Sequence, residues 1–357
     1  MKTLFKGSAL ALPLLLCALP AAAEEALPEE IVAIGLRPDA HGPAGTMGDH
    51  VHKSGDLMLG VMWMHEAYGG ANRSGTQALT DSEVAAAGYT VKARAMTMDM
   101  AMFHIMWAPN DRFTLMVVPQ WMRMGMTMEG LPAPMGGMGG MGGMTGMTGM
   151  APGQTMTHAS EGLGDTQFGA LVSLSRRPRL SVHAGLMVSA PTGTVTRRKA
   201  SGKFEHYMMQ AGSGTWDLNP SLTLHGMTEH FGWGAQVSGL FRAEKANKVG
   251  FRFGDRFTAT AWASTPLTRR LSLSTRLQWS SEGTIKGEYN GPHGTASPPD
   301  GTGNYGGERL EGSLGANLIV GDRVRIGAEA SLPLYQKVNG IQLPKQVGIN
   351  LNAAMMF

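Results

Sequence analysis

In the stretch AMTMDMAMFHIMWAPNDRFTLMVVPQWMRMGMTM, Ala95 to Met128, methionine recurs at every second position through most of the run. Thioether sulfur is soft and uncharged, suited to Cu(I) or Ag(I) and poor for Mg²⁺. The same side chain is an unbranched, polarizable apolar filler, so a methionine surface equally makes a flexible wall for hydrophobic solutes. The run supplies Met96, Met98, Met100, Met102, Met122, Met124, Met126 and Met128, with His104 among them. A second supply, MGGMGGMGGMTGMTGM, spans Met135 to Met150 and repeats methionine every third residue, at Met138, Met141, Met144, Met147 and Met150. So glycine-rich a stretch packs no core and reads as a mobile tether of thioethers.

Nitrogen donors lie nearby in sequence. His158 follows the tether, and AHGPAGTMGDHVH, Ala40 to His52, carries His41, His50 and His52 with Asp49. On a strand His50 and His52 would share a face. Two expectations stand side by side: a Cu(I) or Ag(I) site built from these methionines, His104, His50 and His52, or a greasy wall with solvated histidines. Catalysis is not expected. His183, His225, Asp217, Glu311, Arg325 and Glu329 offer titratable groups, but no serine stands with a histidine and an acid at a recognisable spacing.

Side chains two apart diverge by about 200° on a helix and share a face on a strand, so the elements that carry the methionines must be strands. The turn is APND, Ala108 to Asp111. Before it Phe103, Ile105 and Trp107 share one face and Met96 to Met106 the other; after it Phe113, Leu115, Val117 and Trp121 oppose Met116, Met122, Met124, Met126 and Met128. Pairing Met106 with Thr114 would set Met98 against Met122 and Met96 against Met124. The first strand, about Gly55 to Glu66, adds Met58, Met62 and Met64 with the same parity.

Alternating segments recur on either side of SRRPR, in Trp216 to Leu224 with Trp233 to Phe241, Phe257 to Ala263 with Leu271 to Trp279, Leu310 to Val320 with Val324 to Leu332, and finally Val347 to Phe357. About twelve segments of about 10 to 14 residues, joined alternately by short turns and longer linkers, predict an all-β fold: a transmembrane antiparallel β-barrel with short periplasmic turns and longer extracellular loops. Long linkers are expected at Ala67 to Thr90, Glu129 to Glu161, Gly193 to Gly214, Gly283 to Gly306 and Gln336 to Lys345. A soluble β-sandwich would alternate too, but accounts less well for strand length, loop asymmetry and the terminal Phe357. In a barrel the more lipophilic face meets lipid, so the methionines are expected to point inward, near the extracellular mouth.

The segment MKTLFKGSALALPLLLCALPAAA places Lys2 and Lys6 before an apolar run that ends in Ala21, Ala22 and Ala23, the pattern of a secretory signal over 1–23. Cys17, the single cysteine, would leave with it. Residues 24–54 are expected as a periplasmic or lumen-plugging segment and 55–357 as the barrel, with 129–161 its Met/Gly-rich loop. EEIVAIG, Glu29 to Gly35, is similar to the energy-coupling segment of TonB-dependent receptors, yet the chain has no room for their plug and about 22 strands. A formal charge of +3 over 357 residues suggests no nucleic-acid partner. The expected location is the outer membrane of a Gram-negative bacterium, with its lipids as partners.

GDHVHKSGDLMLGVMWM, MFHIMWAPNDRFTLMVVPQWMRMGM, GLGD at Gly162 to Asp165, SAPTGTV at Ser189 to Val195 and GSGTWDLNPSL at Gly212 to Leu222 together resemble the outer-membrane proteins of the phenol-degradation meta-pathway (MetA-type) family, over roughly Gly48 to Phe357. The resemblance implies a transporter or channel for small, often hydrophobic, organic molecules. A terminal aromatic on an alternating last strand also resembles the signal read by outer-membrane assembly machinery, which would make that machinery a partner through Phe357.

Overall fold

The computed structural model describes residues 37–132, 150–177 and 179–357. The signal segment, EEIVAIG and Met138, Met141, Met144 and Met147 lie outside the described residues.

Twelve antiparallel strands close on themselves. β1 is Leu57–Gly69 and β2 is Val91–Asn110. β3 runs as Phe113–Val118 and Gln120–Gly130, and β4 as Thr155–Leu163 and Thr166–Arg177. Then come β5 Leu180–Ala190, β6 Asp217–Met227, β7 Gly232–Arg242, β8 Arg256–Pro266 and β9 Leu271–Glu282. β10 Gly307–Val320, β11 Val324–Gln342 and β12 Lys345–Met356 complete the wall. Each strand pairs with the next, and β1 pairs with both β2 and β12, which closes the barrel. A capped helix, Asp81–Ala86, and short strand pairs decorate one end. Among the described residues no helix is long and apolar enough to cross a membrane.

Alternation decides which face is which. Phe103 and Trp107 are each 49% exposed on the outside, whereas Met102 is 5% and Met106 3% exposed within. Outward aromatics gather in two rings, Trp107, Phe113, Phe231 and Phe357 toward the short turns and Trp216, Phe241, Phe257, Trp279 and Tyr335 toward the long loops. Such rings, flanking an apolar band, sit where a bilayer's headgroups begin.

Two expected details are corrected. Met106 pairs with Met116, Met98 with Met124 and Met96 with Met126, because the ladder shifts between Trp107 and Asn110. The Asn110 side chain accepts hydrogen bonds from the Arg112 and Phe113 N–H groups, so the turn tightens onto Asp111 and Arg112 and leaves Ala108 and Pro109 as a bulge. The shift is even, so parity survives. The linker expected from Gln336 to Lys345 is instead strand: β11 continues to Gln342 and only Leu343 and Pro344 turn the chain into β12. Part of the 129–161 loop is strand as well, through Gly130 and again from Thr155.

Candidate functional site: a methionine wall inside a closed lumen

Because inward residues on neighbouring strands lie side by side about 4.8 Å apart, the ladder registers stack the thioethers into rows. Near the turns, Met356, Met58, Met106 and Met116 occupy four adjacent strands. Higher up, Met64, Met100 and Met122 form a row, followed by Met98 with Met124, Met96 with Met126 and Met128 with Met156. The lower rows pack with Val118, Leu171 and Met187. The upper rows pack with Met209 and, partly buried, Met150. His104 stands on β2 between Met102 and Met106, with its buried Nε2 lacking a hydrogen-bond partner among the described residues. His158 pairs with Met126 at the loop end.

Residues 37–54 run through the turn end of this lumen. Met47 and Val51 pack on the lower methionines. The remaining contacts are polar and are spread around the lumen, from β3 and β4 through β7 to β9 and β11. Gly45 N–H donates to Glu329 Oε2 at 2.7 Å, and Glu329 is paired with Arg276 at 2.7 Å. His52 N–H donates to Thr114 Oγ1, Arg176 to the carbonyls of Val51 and His52, and Gln236 to the carbonyl of Met47. A Cβ on Gly45 would sit 2.7 Å from Asn350 Nδ2 and 2.8 Å from Arg276 and Glu329, so any larger residue must displace members of the buried ion pair.

His50 and His52 are therefore inside the barrel but away from the Met-rich loop end. Burial disfavours the charged forms of Asp49 and His50, but their mutual attraction outweighs it, so Asp49 stays well below the usual carboxylate range and His50 above its ordinary value. Burial holds the neighbouring His52 down to about 3, so it is neutral at physiological pH.

The loop end is capped by an aromatic cluster in which Phe204, Tyr207, Phe251, Tyr289 and Tyr305 pack together. Asp300 ties this cap down. It pairs with His206 at 2.8 Å and accepts hydrogen bonds from Ser297 N–H and Oγ–H. Burial alone would raise its pKa, but the contact with His206 and the Ser297 hydrogen bond prevail and hold it at about 2. Since the folded value lies below the ordinary 3.8, the net stabilisation of the charged carboxylate by its surroundings is complete above pH 4 and is lost as the pH falls toward 2, a change of about 2 kcal/mol. Pepsin is expected to spare the cap near pH 4 and cut at its aromatics near pH 2, and Asp300→Asn is expected to be cut at both.

One stretch of wall is interrupted. β5 ends at Ala190 opposite Thr166, so the upper part of β4 pairs with β3 alone. Its free edge meets the 191–216 loop, which is hooked onto Asp165. The carboxylate of Asp165 accepts from Gly193 N–H at 2.9 Å, from Ser213 N–H at 2.7 Å and from Ser213 Oγ–H at 2.7 Å. GLGD, SAPTGTV and GSGTWDLNPSL, apart in sequence, thus meet at one point. A Cβ on Gly193 would lie 2.6 Å from the Gly212 backbone, which explains the paired glycines. Sequence reasoning did not anticipate the roles of Asp165, Gly45, Arg276 or the tyrosine cap. For Asp165 the available signal was three glycine-flanked polar motifs with no local turn to build.

Neither a protein-family model nor a curated protein matches the chain. Its fold is similar to that of an outer-membrane channel from Pseudomonas putida F1, with a TM-score of 0.57 at 13% identity over 87% of this chain and 99% of that one. More distant likenesses are to the NanC porin (TM-score 0.41, 6% identity, 82% of this chain and 98% of that one) and to a Pseudomonas aeruginosa FadL homologue (0.40, 10%, 85% and 90%). At such identities the likeness concerns the fold, which is that of an outer-membrane β-barrel.

Proposed function

We propose that the barrel conducts small, mainly apolar organic molecules across the outer membrane, with its short turns in the periplasm. The observation that carries this reading is the continuous methionine wall, which offers a sliding, adaptable apolar surface from the loop end down to residue 37–54 territory. The MetA-type resemblance of the sequence and the barrel fold point the same way. Several polar groups of the wall, among them Glu329, Thr114, Arg176 and Gln236, hold the N-terminal segment, a structural role that fits conduction.

Residues 37–54 lie across the turn end and the aromatic cluster stands at the loop end, so the route assigned to the solute is the interruption beside Asp165, which leaves residues 37–54 in place. The test is uptake of a labelled aromatic hydrocarbon by cells producing the protein, with a sugar of similar size as the polar control. Faster entry of the hydrocarbon, increased further by Asp165→Ala, supports the proposal; faster entry of the sugar, or no difference from cells lacking the protein, overturns it.

A second reading is favoured by the row Met64, Met100 and Met122, three thioethers on neighbouring strands that supply the soft donor type Cu(I) or Ag(I) takes. Anaerobic Cu(I) titration of the refolded barrel against a chelator tests it. Tight binding that weakens on removal of 135–150 supports metal capture, and binding no stronger than a detergent blank removes it.

A further inference from the structure

A second cluster of donors lies in the N-terminal segment, away from the thioether rows. The chain folds back on itself between His41 and His50, and the turn is held by Thr46 N–H to Pro43 carbonyl at 2.9 Å and by Gly42 N–H to Asp49 Oδ2 at 2.7 Å. This brings three ligand-type groups together. His41 Nδ1 and His50 Nδ1 face each other at 3.2 Å, His50 Nδ1 lies 2.8 Å from Asp49 Oδ1, and His41 Nδ1 lies 3.6 Å from Asp49 Oδ2.

Protons alone satisfy this arrangement poorly. If His50 Nδ1–H donates to Asp49, the His41 Nδ1 lone pair can only share that same proton in a weak three-centre bond. If His50 Nδ1 is bare, it confronts the carboxylate with lone pair against lone pair. A cation at the centre removes the conflict, because it accepts all three lone pairs at once. The spacing is right for a small one: metal–nitrogen and metal–oxygen bonds of about 2.0–2.1 Å in a tetrahedron put ligand atoms about 3.3 Å apart, and the three distances here bracket that value.

Two further observations point to a ligand. The Gly42 N–H bond orients the carboxylate from outside, as the outer partners of metal ligands do. Beside the cluster, the His52 ring packs 4.6 Å from His50, and its Nε2 is buried without a hydrogen-bond partner among the described residues. His52 is 4% exposed, so this orphaned nitrogen is not served by solvent.

We propose that His41, Asp49 and His50 form a binding site for a divalent transition-metal ion of the zinc or copper(II) class. The site is distinct from any thioether chemistry: two imidazoles and a carboxylate select a borderline divalent ion, whereas methionine selects a soft monovalent one. Its consequence is mechanical. The ion cross-links the two ends of the 41–50 loop, whose tip presents Gly45 to Glu329, so a loaded site stiffens the piece of chain that fills the lumen.

The experiment is a Zn(II) titration of the full chain, refolded in detergent, against a competing chelator, combined with X-ray absorption at the zinc edge. One ion per chain, bound through nitrogen and oxygen at about 2.0–2.1 Å with no sulfur near 2.3 Å, is the expected result. His41→Gln and Asp49→Asn are each expected to weaken binding by at least about tenfold, and Met100→Leu to leave it unchanged. Heat-modifiable gel mobility checks that each variant is a folded barrel; should one fail, His50→Gln takes its place. Sulfur in the absorption spectrum, or equal affinity in the parent and both ligand variants, overturns the proposal.

Discussion

Gly45→Val is expected to unseat the N-terminal segment and to raise the conductance of the barrel in planar bilayers. The added carbons would press on Asn350, Arg276 and Glu329, and the last two form a buried ion pair that cannot step aside without losing its partner. Overpacking of this kind costs about 1–3 kcal/mol, and loss of the Gly45 N–H bond to a charged acceptor a further 1.5–3 kcal/mol or so. At about 1.4 kcal/mol per factor of ten, the seated population falls at least about tenfold. Trypsin cutting after Lys53 should accelerate in parallel. Gly303→Ala, where a new Cβ meets nothing within 4 Å, is the control. Parent-like conductance and cleavage in Gly45→Val would mean that Gly45 does not hold the segment in place.

The second large effect concerns parity. Phe103→Arg is expected to destabilise the barrel by about 2–4 kcal/mol, the cost of a cation on the lipid face deep in the bilayer. One residue class away on the inner face, Met98→Gln places its amide beside Glu66, its ladder partner on β1, and is expected to leave the unfolding midpoint close to that of the parent while slowing hydrocarbon uptake. Urea titration of the barrel refolded into vesicles compares the two. Equal destabilisation by both would contradict the assignment of faces.

Period-two methionine and aromatic patterning made the strands and both faces of β1 to β3 legible, because alternation is a local property of the chain. Register was legible only to parity: the bulge at Ala108 and Pro109 depends on which backbone groups the Asn110 side chain captures, which spacing does not state. The length of β11 was hidden for a different reason. Gln336 to Gln342 is polar and reads as loop, yet it remains strand where it rises beyond the lipid belt and meets the short strand Arg73–Gly75. The candidate site was legible in its thioethers and opaque in everything that closes it. His41, Asp49 and Gly45 stand in a glycine-rich stretch whose partners, Glu329 and Arg276, lie more than 200 residues away. Only the closed barrel brings them together.

The methionine rows have one more consequence. Each buried sulfur can take up one oxygen from peroxide or hypochlorous acid, and the resulting sulfoxide is a polar, hydrogen-bonding group where an apolar one stood. Met124, 1% exposed beneath the loop cap, is shielded from such an oxidant until the cap or the N-terminal segment moves. The wall therefore carries a chemical memory of opening: every excursion that admits an oxidant leaves the lumen less oily than before, until a reductase restores the thioether.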